Sequence, residues 1–276
     1  MRNTLRLLIL LIFFSAPANG QNRINKSKQQ LNQKQSSSNL SSPRSATSSS
    51  SSGSGSSSLL GGLVYGVFTY TVGITLFGGY SFEGHLHNKQ TEYPFYIPEH
   101  GNYFNHELHP NGNVTNFRLD LKDKFMYSSS LIGNHLEAKI RPFQYFYVKA
   151  DYYQLFEFQE QEGTSDQLSL FYFNFAYDRI RLSRFNFGWT LGASYIAGDV
   201  NKAGFAFGLN AEYFSKRNVS FLAGAKWSGI NGQPVNAYEI EGRFHKKNWF
   251  ASIGCEHLDI GSPNYNFVTI GGGAYF

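Results

Sequence analysis

The stretch FNFGWTLGASY at residues 185–195 places an apolar side chain at every second position, with Asn, Gly, Thr and Ser between them. Alternation with a period of two is typical of a β-strand that has one apolar and one polar face. The next two stretches repeat the pattern, from Phe205 to Tyr213 and from Val219 to Trp227. Consecutive segments of this kind, joined by short turns, predict an antiparallel sheet.

The same alternation extends over residues 115–276 and predicts ten strands. They lie at residues 116–127, 133–141, 144–158, 166–180, 185–197, 204–215, 219–228, 235–245, 249–258 and 265–276. A soluble sandwich or lipocalin-like barrel would turn the apolar face inward, whereas a transmembrane barrel turns it to lipid. A membrane-spanning strand needs roughly 9–11 residues and carries aromatic side chains near its ends, as these segments do. We predict an all-β fold, an antiparallel up-and-down transmembrane β-barrel of about ten strands, within a range of eight to twelve.

The charged side chains favour the same fold, because within each segment they keep to the face opposite the apolar one. Asp123 and Arg179 are the exceptions, on the lipid-facing side. A charge facing lipid at mid-membrane costs roughly 2–4 kcal/mol. Basic residues come mainly from the first three strands and acidic residues from the sixth, eighth and ninth, so we predict paired charges that plug the interior, with Gly271 and Gly273 leaving room beside them. A water-filled, charge-lined channel is the alternative. The predicted network comprises Arg118, Asp120, Lys122, Lys124, Glu137, Lys139, Arg141, Lys149, Asp151, Glu212, Lys226, Glu239, Glu241, Arg243 and Glu256.

The last segment, FVTIGGGAYF at residues 267–276, alternates and stops on an aromatic residue. It resembles the terminal strand of small Gram-negative outer-membrane barrels of the OmpA/OmpX-like kind, and the resemblance covers about residues 115–276. It implies that Tyr275 and Phe276 form the signal for the barrel-assembly machinery and that the C-terminus lies in the periplasm. The turns at residues 141–144, 181–184, 216–218 and 246–248 would then be periplasmic.

The N-terminal part of the chain is different in composition. Residues 1–20 have a basic start, an apolar run and small residues, the pattern of a cleaved secretory signal. Residues 21–58 are rich in Gln and Ser and predict a disordered tether, expected on the periplasmic side. These two segments carry seven basic residues and no acidic one, whereas residues 59–276 carry 17 basic and 19 acidic residues. This distribution argues against nucleic-acid binding and leaves an anionic polymer as a candidate partner of the tail.

Residues 59–114 combine an apolar, Gly-rich segment with an irregular His-rich one. Residues 59–80 contain no charge and six glycines, and both a helix and an extra strand agree with their pattern. The His-rich segment offers imidazole and carboxylate groups, but their spacing differs from the His-Glu-x-x-His arrangement that binds zinc on one helix face. We therefore predict no metal site. The residues concerned are His85, His87, Glu99, His100, His106, Glu107 and His109.

A second candidate site lies near the end of the ninth strand. His257 with Asp259 and Glu256, and with Asp199 from another loop, resembles a carboxylate-oriented base. However, His257 and Cys255 have lipid-facing parity, and no Ser lies in a nucleophile motif. We expect no catalytic residue and no cofactor.

The sequence thus predicts a porin-like, monomeric outer-membrane barrel in contact with lipid, with a structural or interaction role. The alternatives are a narrow channel for small polar solutes and a membrane-embedded hydrolase or lipid-modifying enzyme.

Overall fold

The computed structural model describes residues 22–33, 88–158 and 165–276, together with Gly66, Thr69 and Gly73. The described elements are one helix, a two-stranded sheet and ten long strands. In chain order they are α1 (Arg23–Asn32), β1 (Lys89–Gln90), β2 (Tyr103–Phe104), β3 (Arg118–Tyr127), β4 (Leu131–Arg141), β5 (Phe146–Phe158), β6 (Ser165–Arg181), β7 (Phe185–Ile196), β8 (Lys202–Phe214), β9 (Val219–Ile230), β10 (Gln233–Lys246), β11 (Trp249–Ile260) and β12 (Asn264–Tyr275).

Strands β3 to β12 form a closed antiparallel barrel in sequential order. Each pairs with its neighbours in the chain, and β12 closes on β3 through the register Ile270 to Phe125 and Tyr275 to Asp120. The predicted fold class is confirmed, and every predicted strand end lies within two residues of the observed one. The two ends of the barrel differ. The turn end carries the turns at residues 142–145, 182–184, 215–218 and 247–248 with the C-terminus, and the loop end carries residues 128–130, 197–201, 231–232 and 261–263.

The two faces of the barrel follow the alternation in the sequence. Large apolar side chains cover the outside; Phe173, Ile240 and Ile253 are each more than 60% exposed. Asp123 also faces outward, as expected, and accepts a hydrogen bond from Asn134 Nδ2 at 2.6 Å. An apolar outside and a charged inside are the arrangement that a bilayer selects.

A β-bulge in β6 changes the direction of two arginines. The register with β7 shifts between Asp178 and Ile180, so residues beyond the shift alternate with opposite parity. Arg179, predicted to face lipid, is instead buried in the bulge, and Arg181, predicted to lie in a turn, points into the barrel and is fully buried. Both predictions were wrong because strict alternation does not allow for an inserted residue.

Helix α1 lies in the mouth of the barrel at the loop end. Ile24, Ser27 and Leu31 are buried, and the Ser27 hydroxyl lies 2.7 Å from both the Ile260 carbonyl oxygen and the Tyr265 hydroxyl. The Glu157 carboxylate accepts the first backbone N–H groups of the helix, from Arg23 at 3.0 Å and Ile24 at 2.8 Å. An acidic group in this position satisfies free donors and complements the helix dipole.

The opposite end of α1 and its solvent-facing side are also bonded to the loops. The Lys202 ammonium and the Asn231 amide donate to the Leu31 carbonyl oxygen at 3.1 and 2.9 Å, where a helix carries partial negative charge. Lys28 pairs with Asp199 at 2.7 Å, and this hydrogen bond, with the charge of the lysine, lowers the pKa of Asp199. The contacts with Lys202 and Asn231 fix the end of the helix against two loops.

This helix corrects the prediction of a disordered tether for residues 23–32. Low apolar content predicted disorder, but Ile24, Ser27 and Leu31 follow helical spacing and find a buried surface only in the barrel mouth. The predicted signal at residues 1–20, residue 21 and residues 34–58 lie outside the described residues, as does the segment at 59–80 apart from Gly66, Thr69 and Gly73, so the alternatives of helix and strand for it stay open. The expectation was that residues 23–32 and Phe276 are both periplasmic. Since α1 and the C-terminus lie at opposite ends of the barrel, a barrel that spans a membrane places them on opposite sides of it.

Residues 88–117 cover the turn end. Asn88 Nδ2 donates to the Arg181 carbonyl oxygen at 2.6 Å, and the Gly101 N–H donates to the Ser183 carbonyl oxygen at 2.8 Å. β1 and β2 pair only with each other, so this segment adds no strand to the barrel. Neither α1 nor any other helix within the described part of the chain is long and apolar enough to span a bilayer.

Candidate functional site in the barrel interior

The predicted charge network lies together inside the barrel. Fourteen of its fifteen side chains are buried, and the side chain of Asp120 is 12% exposed. Ion pairs cross from β3–β5 to β10 and β11: Lys122 Nζ lies 3.1 Å from Glu137 and 3.4 Å from both Glu239 and Glu241. The predicted basic and acidic sides are thus in contact across the interior.

Lys124 is the most heavily paired cation of this network. Its ammonium lies 2.9 Å from Glu239 and 3.1 Å from Glu241, and it also pairs with Glu256. Lys149 extends the network with contacts to Glu137 at 2.7 Å and Glu239 at 3.6 Å. Several acceptors around each buried ammonium provide the pairing that a buried charge requires.

His135 joins two carboxylates of the network. Its Nδ1 lies 2.9 Å from Glu256 and its Nε2 lies 2.9 Å from Asp151, and its ring stacks on Tyr153 at 3.8 Å. Both ring nitrogens of His135 thus lie within hydrogen-bond distance of a carboxylate oxygen, and the ring connects β4 to β5 and β11 inside the barrel.

The same residues form the groups of potential metal ligands found among the described residues. One group combines His135 with Glu137 and Asp151, and the other combines it with Glu239 and Glu256. In both, the carboxylates are already paired with lysines; Lys226 Nζ, for example, lies 2.8 Å from Asp151. A cation site would require these ammonium groups to move away, so the donor set fits an ion-pair network better than a metal centre.

A second charged cluster closes the interior near the turn end. Arg141 donates to Asp178 at 2.9 Å, and the Tyr103 hydroxyl donates to the same carboxylate at 2.7 Å. Arg118 binds Asp120 through two nitrogens, at 2.6 and 3.0 Å, and donates to Asn102 Oδ1 at 2.8 Å. The covering segment of residues 88–117 is therefore held by the charges of the barrel itself.

Asn102 also links this cluster to the central network. Its Nδ2 donates to Glu212 at 2.9 Å, and Glu212 pairs with Arg243 at 3.1 Å. Arg243 pairs in turn with Glu241, which belongs to the central network. A continuous set of polar contacts therefore connects the turn end with the middle of the barrel.

Glycines on the closing strand make room for the buried cations. A Cβ atom added to Gly271 would lie 2.2 Å from the Asp123 carbonyl oxygen and 2.8 Å from Lys124 Cγ. At Gly273 the space is taken by the ring of Phe250, 2.6 Å from such an atom. Gly271 therefore accommodates a basic side chain as predicted, whereas Gly273 accommodates an aromatic one.

We expect Gly271→Val to prevent closure of the barrel, because its side chain would require the space of Lys124 and of the β3 backbone. The folded fraction, measured by heat-modifiable migration on gels, should fall several-fold. Gly242→Val is the matched control, since the nearest atom to a Cβ at that position would be 3.8 Å away. Equal folded fractions for both variants would contradict the packing described above.

The second candidate site is only partly assembled. His257 Nε2 lies 2.9 Å from Asp259 and Nδ1 lies 2.6 Å from Asn266, on the outer surface of β11 and β12. Glu256 points inward to the central network, and Asp199 binds Lys28 of α1. The structure therefore does not bring Glu256 or Asp199 to His257. Cys255 is exposed on the outer face, where its parity placed it.

The His-rich segment is also dispersed. The rings of His100 and His109 meet edge to face at 4.7 Å, and His106 contacts Phe104. Glu99 pairs with Arg184 of the β6–β7 turn. His85 and His87 lie outside the described residues.

Several members of the interior site were not among the predicted residues. His135 shares a strand face with Glu137 and Lys139, so the alternation of β4 would have predicted that it points inward. No sequence pattern predicts that Asn102 and Tyr103 belong to the site, because only the folding of residues 88–117 over the turn end brings them to the charges.

Comparisons with known proteins identify no family for the chain. No family model matches it, and no curated protein matches it. The solved structures similar to it are outer-membrane β-barrel proteins. They include the KdgM porin in complex with disordered oligogalacturonate (8% identity, TM-score 0.34, 58% of this chain and 99% of that chain). A second is the COG4313 outer membrane channel from Pseudomonas putida F1 (7% identity, TM-score 0.36, 60% of this chain and 97% of that chain). A third is Ail, the attachment invasion locus protein of Yersinia pestis (10% identity, TM-score 0.28, 58% of this chain and 96% of that chain).

Proposed function

We propose that this chain is a closed, non-conducting outer-membrane barrel with a structural or interaction role. The observation that carries the proposal is the central ion-pair network, in which Lys122 and Lys124 of β3 reach Glu239 and Glu241 of β10. Residues 88–117 cover one end of this network and α1 covers the other. A solute would have to break several buried ion pairs to pass.

The membrane location rests on the outer face of the barrel and on the resemblance of its last strand to outer-membrane proteins. With the C-terminus in the periplasm, as that resemblance implies, α1 and the loop end face the cell exterior. Surface digestion of intact cells tests this orientation. Cleavage of α1 by external protease supports it, and complete protection with cleavage only in permeabilised cells contradicts it.

A narrow channel for small polar solutes is the second candidate, and one wall of the barrel favours it. Asn174, Asn186 and Thr190 of β6 and β7 are buried and uncharged, and their side chains have no hydrogen-bond partner among the described residues. Water usually satisfies such groups. If α1 left the mouth, this wall would be the side of the interior that water could enter.

Single-channel recording distinguishes the two functions. We expect no steady openings from the purified full chain in planar bilayers, and none after deletion of residues 22–33, because the central network remains in place. Nanosiemens-scale openings of the full chain would overturn the closed barrel. Openings confined to the deletion variant would instead establish a channel gated by α1.

An anionic polymer remains a proposed partner of the tail, but the structure reduces the charge available for it. Arg23 donates to Ser130 and to the Asn264 carbonyl oxygen, and Lys28 pairs with Asp199. Lys26 is exposed, and Lys34 and Arg44 lie outside the described residues. Polymer binding would therefore rest on these three side chains.

A further inference from the structure

One carboxylate on the outer face of the barrel lies near the middle of a strand. Asp123 is the sixth of the ten residues of β3 (Arg118–Tyr127), and its side chain is exposed on the outside. At about 3.3 Å per residue, roughly 13–17 Å of strand separate it from either end of β3. In a barrel that spans a bilayer, as proposed above, Asp123 therefore lies within the hydrocarbon core and away from both membrane surfaces.

The outward side chains next to Asp123 on β3 and β4 are largely apolar. Leu121 and Phe125, two residues away on the same strand, and Leu136, directly opposite on β4, are all exposed apolar side chains. On the other side, Asp123 lies opposite Gly272 of β12, which has no side chain. An ionisable group among lipid-facing apolar residues is costly, and such groups in membranes usually meet a partner of opposite charge.

Only one oxygen of this carboxylate has a partner. Asp123 Oδ1 accepts a hydrogen bond from Asn134 Nδ2 at 2.6 Å, and the same amide nitrogen lies 3.3 Å from the Lys124 carbonyl oxygen. Within residues 22–33, 88–158 and 165–276, no cation pairs with Asp123 and no donor reaches its Oδ2. Asp123 Oδ2 and Asn134 Oδ1 are therefore acceptors that are open to a donor from outside the barrel.

Charge decides which occupant fits this face. A second copy that docked through the same face would place two Asp123 carboxylates against each other. Lipid amines are held at the membrane surfaces and do not reach the middle of β3. A cationic donor at this depth has to come from a protein in the same membrane. Gly272 and its neighbour on β11, Ala251, are small, and small residues allow a second chain to approach closely.

We propose that the outer face around Asp123, formed with Asn134, Leu136 and Gly272, is a docking site for a partner protein whose membrane-spanning segment carries a lysine or arginine. The cationic group donates to the oxygens of Asp123 and Asn134, where the low dielectric of the membrane strengthens the pairing. The site gives the interaction role proposed above a surface and a partner chemistry, and it rests on the same membrane location.

The test measures association of the barrel with synthetic membrane-spanning peptides in phosphatidylcholine vesicles. Each peptide has about 20 leucine and alanine residues, with lysine, glutamine or leucine at its centre. The full chain carries Cys255→Ser and a donor fluorophore on Lys216→Cys in an exposed turn, and energy transfer to an acceptor on the peptide reports association. We expect the lysine peptide to associate about tenfold more tightly than the leucine peptide.

Two variants locate the interaction on the barrel. Asp123→Asn removes the charge with little change in volume, and it should bring the lysine and leucine peptides to within about twofold of each other. Asp259→Asn makes the same substitution on the outer face near the loop end, and this matched control should keep the preference of about tenfold. Heat-modifiable migration shows which variants contain a folded barrel.

The remaining outcomes separate the docking site from the membrane location. Equal association of the lysine and leucine peptides, or a preference that survives Asp123→Asn, would overturn the site. Equal association of the lysine and glutamine peptides would overturn the basic partner, since a neutral donor would then suffice.

The membrane location is tested by itself with a fluorophore on Ile270→Cys, on the same face, in the Cys255→Ser chain. Lipids brominated near the middle of their acyl chains should quench this fluorophore. If they do not, although the barrel is folded, the membrane location is wrong, and with it the docking site. Quenching together with equal binding of the peptides contradicts the docking site alone.

Discussion

Replacing Lys124 with methionine should lower the free energy of unfolding by about 3–5 kcal/mol, since removal of one partner leaves buried charges uncompensated. Lys124 is in contact with Glu239, Glu241 and Glu256, and its side chain is fully buried. Methionine keeps most of the volume and removes only the charge. The measurement is urea unfolding of the refolded barrel in detergent or lipid, followed by tryptophan fluorescence.

Two further variants show whether the loss comes from the network. Lys216→Met removes a lysine from an exposed turn and should change the free energy by less than about 0.5 kcal/mol. The double variant Lys124→Met/Glu256→Gln should recover part of the loss, because one uncompensated carboxylate becomes neutral. A loss below about 1 kcal/mol for Lys124→Met would mean that the ion pairs do not hold the interior together.

Replacing Leu31 with aspartate should release α1 from the barrel mouth. Leu31 is fully buried against the loop end, and burial of a leucine side chain contributes about 1.5–3 kcal/mol, to which the substitution adds the cost of burying a charge. We expect trypsin to cleave after Lys26 or Lys28 at least tenfold faster in Leu31→Asp than in the parent chain. Cleavage sites are assigned by mass spectrometry of the released peptides.

Gln29→Asp is the matched control, because Gln29 is exposed on the same helix and receives the same new charge. Its cleavage rate should stay within about twofold of the parent. If both variants are cleaved equally fast, a change in helix propensity and not the loss of burial would explain the result, and α1 would not be anchored by Leu31.

The barrel and its interior were predictable to different degrees. Alternation is local, so the boundaries of strands such as β7 and the inward direction of Lys122 and Glu239 follow from residue order alone. The bulge at Asp178 and Ile180 was not predictable in this way, because it inserts one residue without a compositional signal. Arg179 and Arg181 were consequently misplaced.

The segments that cover the two ends of the barrel were also not predictable from residue order. Residues 23–32 contain few apolar side chains, and the sequence predicted them to be part of a disordered tether. The segment by itself has no surface on which Ile24 and Leu31 could be buried. The barrel mouth provides that surface, and Glu157 completes the helix N-terminus. Likewise, Tyr103 joins the interior charges only because the segment around it folds back over the turn end.

The sequence by itself determined that this protein is an antiparallel barrel with an apolar outside and a charged inside, because strand periodicity is set by backbone geometry within a few residues. Only the tertiary structure decided which charges meet, that His135 bridges two carboxylates and that both ends of the interior are covered. Those contacts join residues far apart in the chain, and their partners are chosen by the register of closure, by the space beside Gly271 and by the burial of segments that have no core of their own.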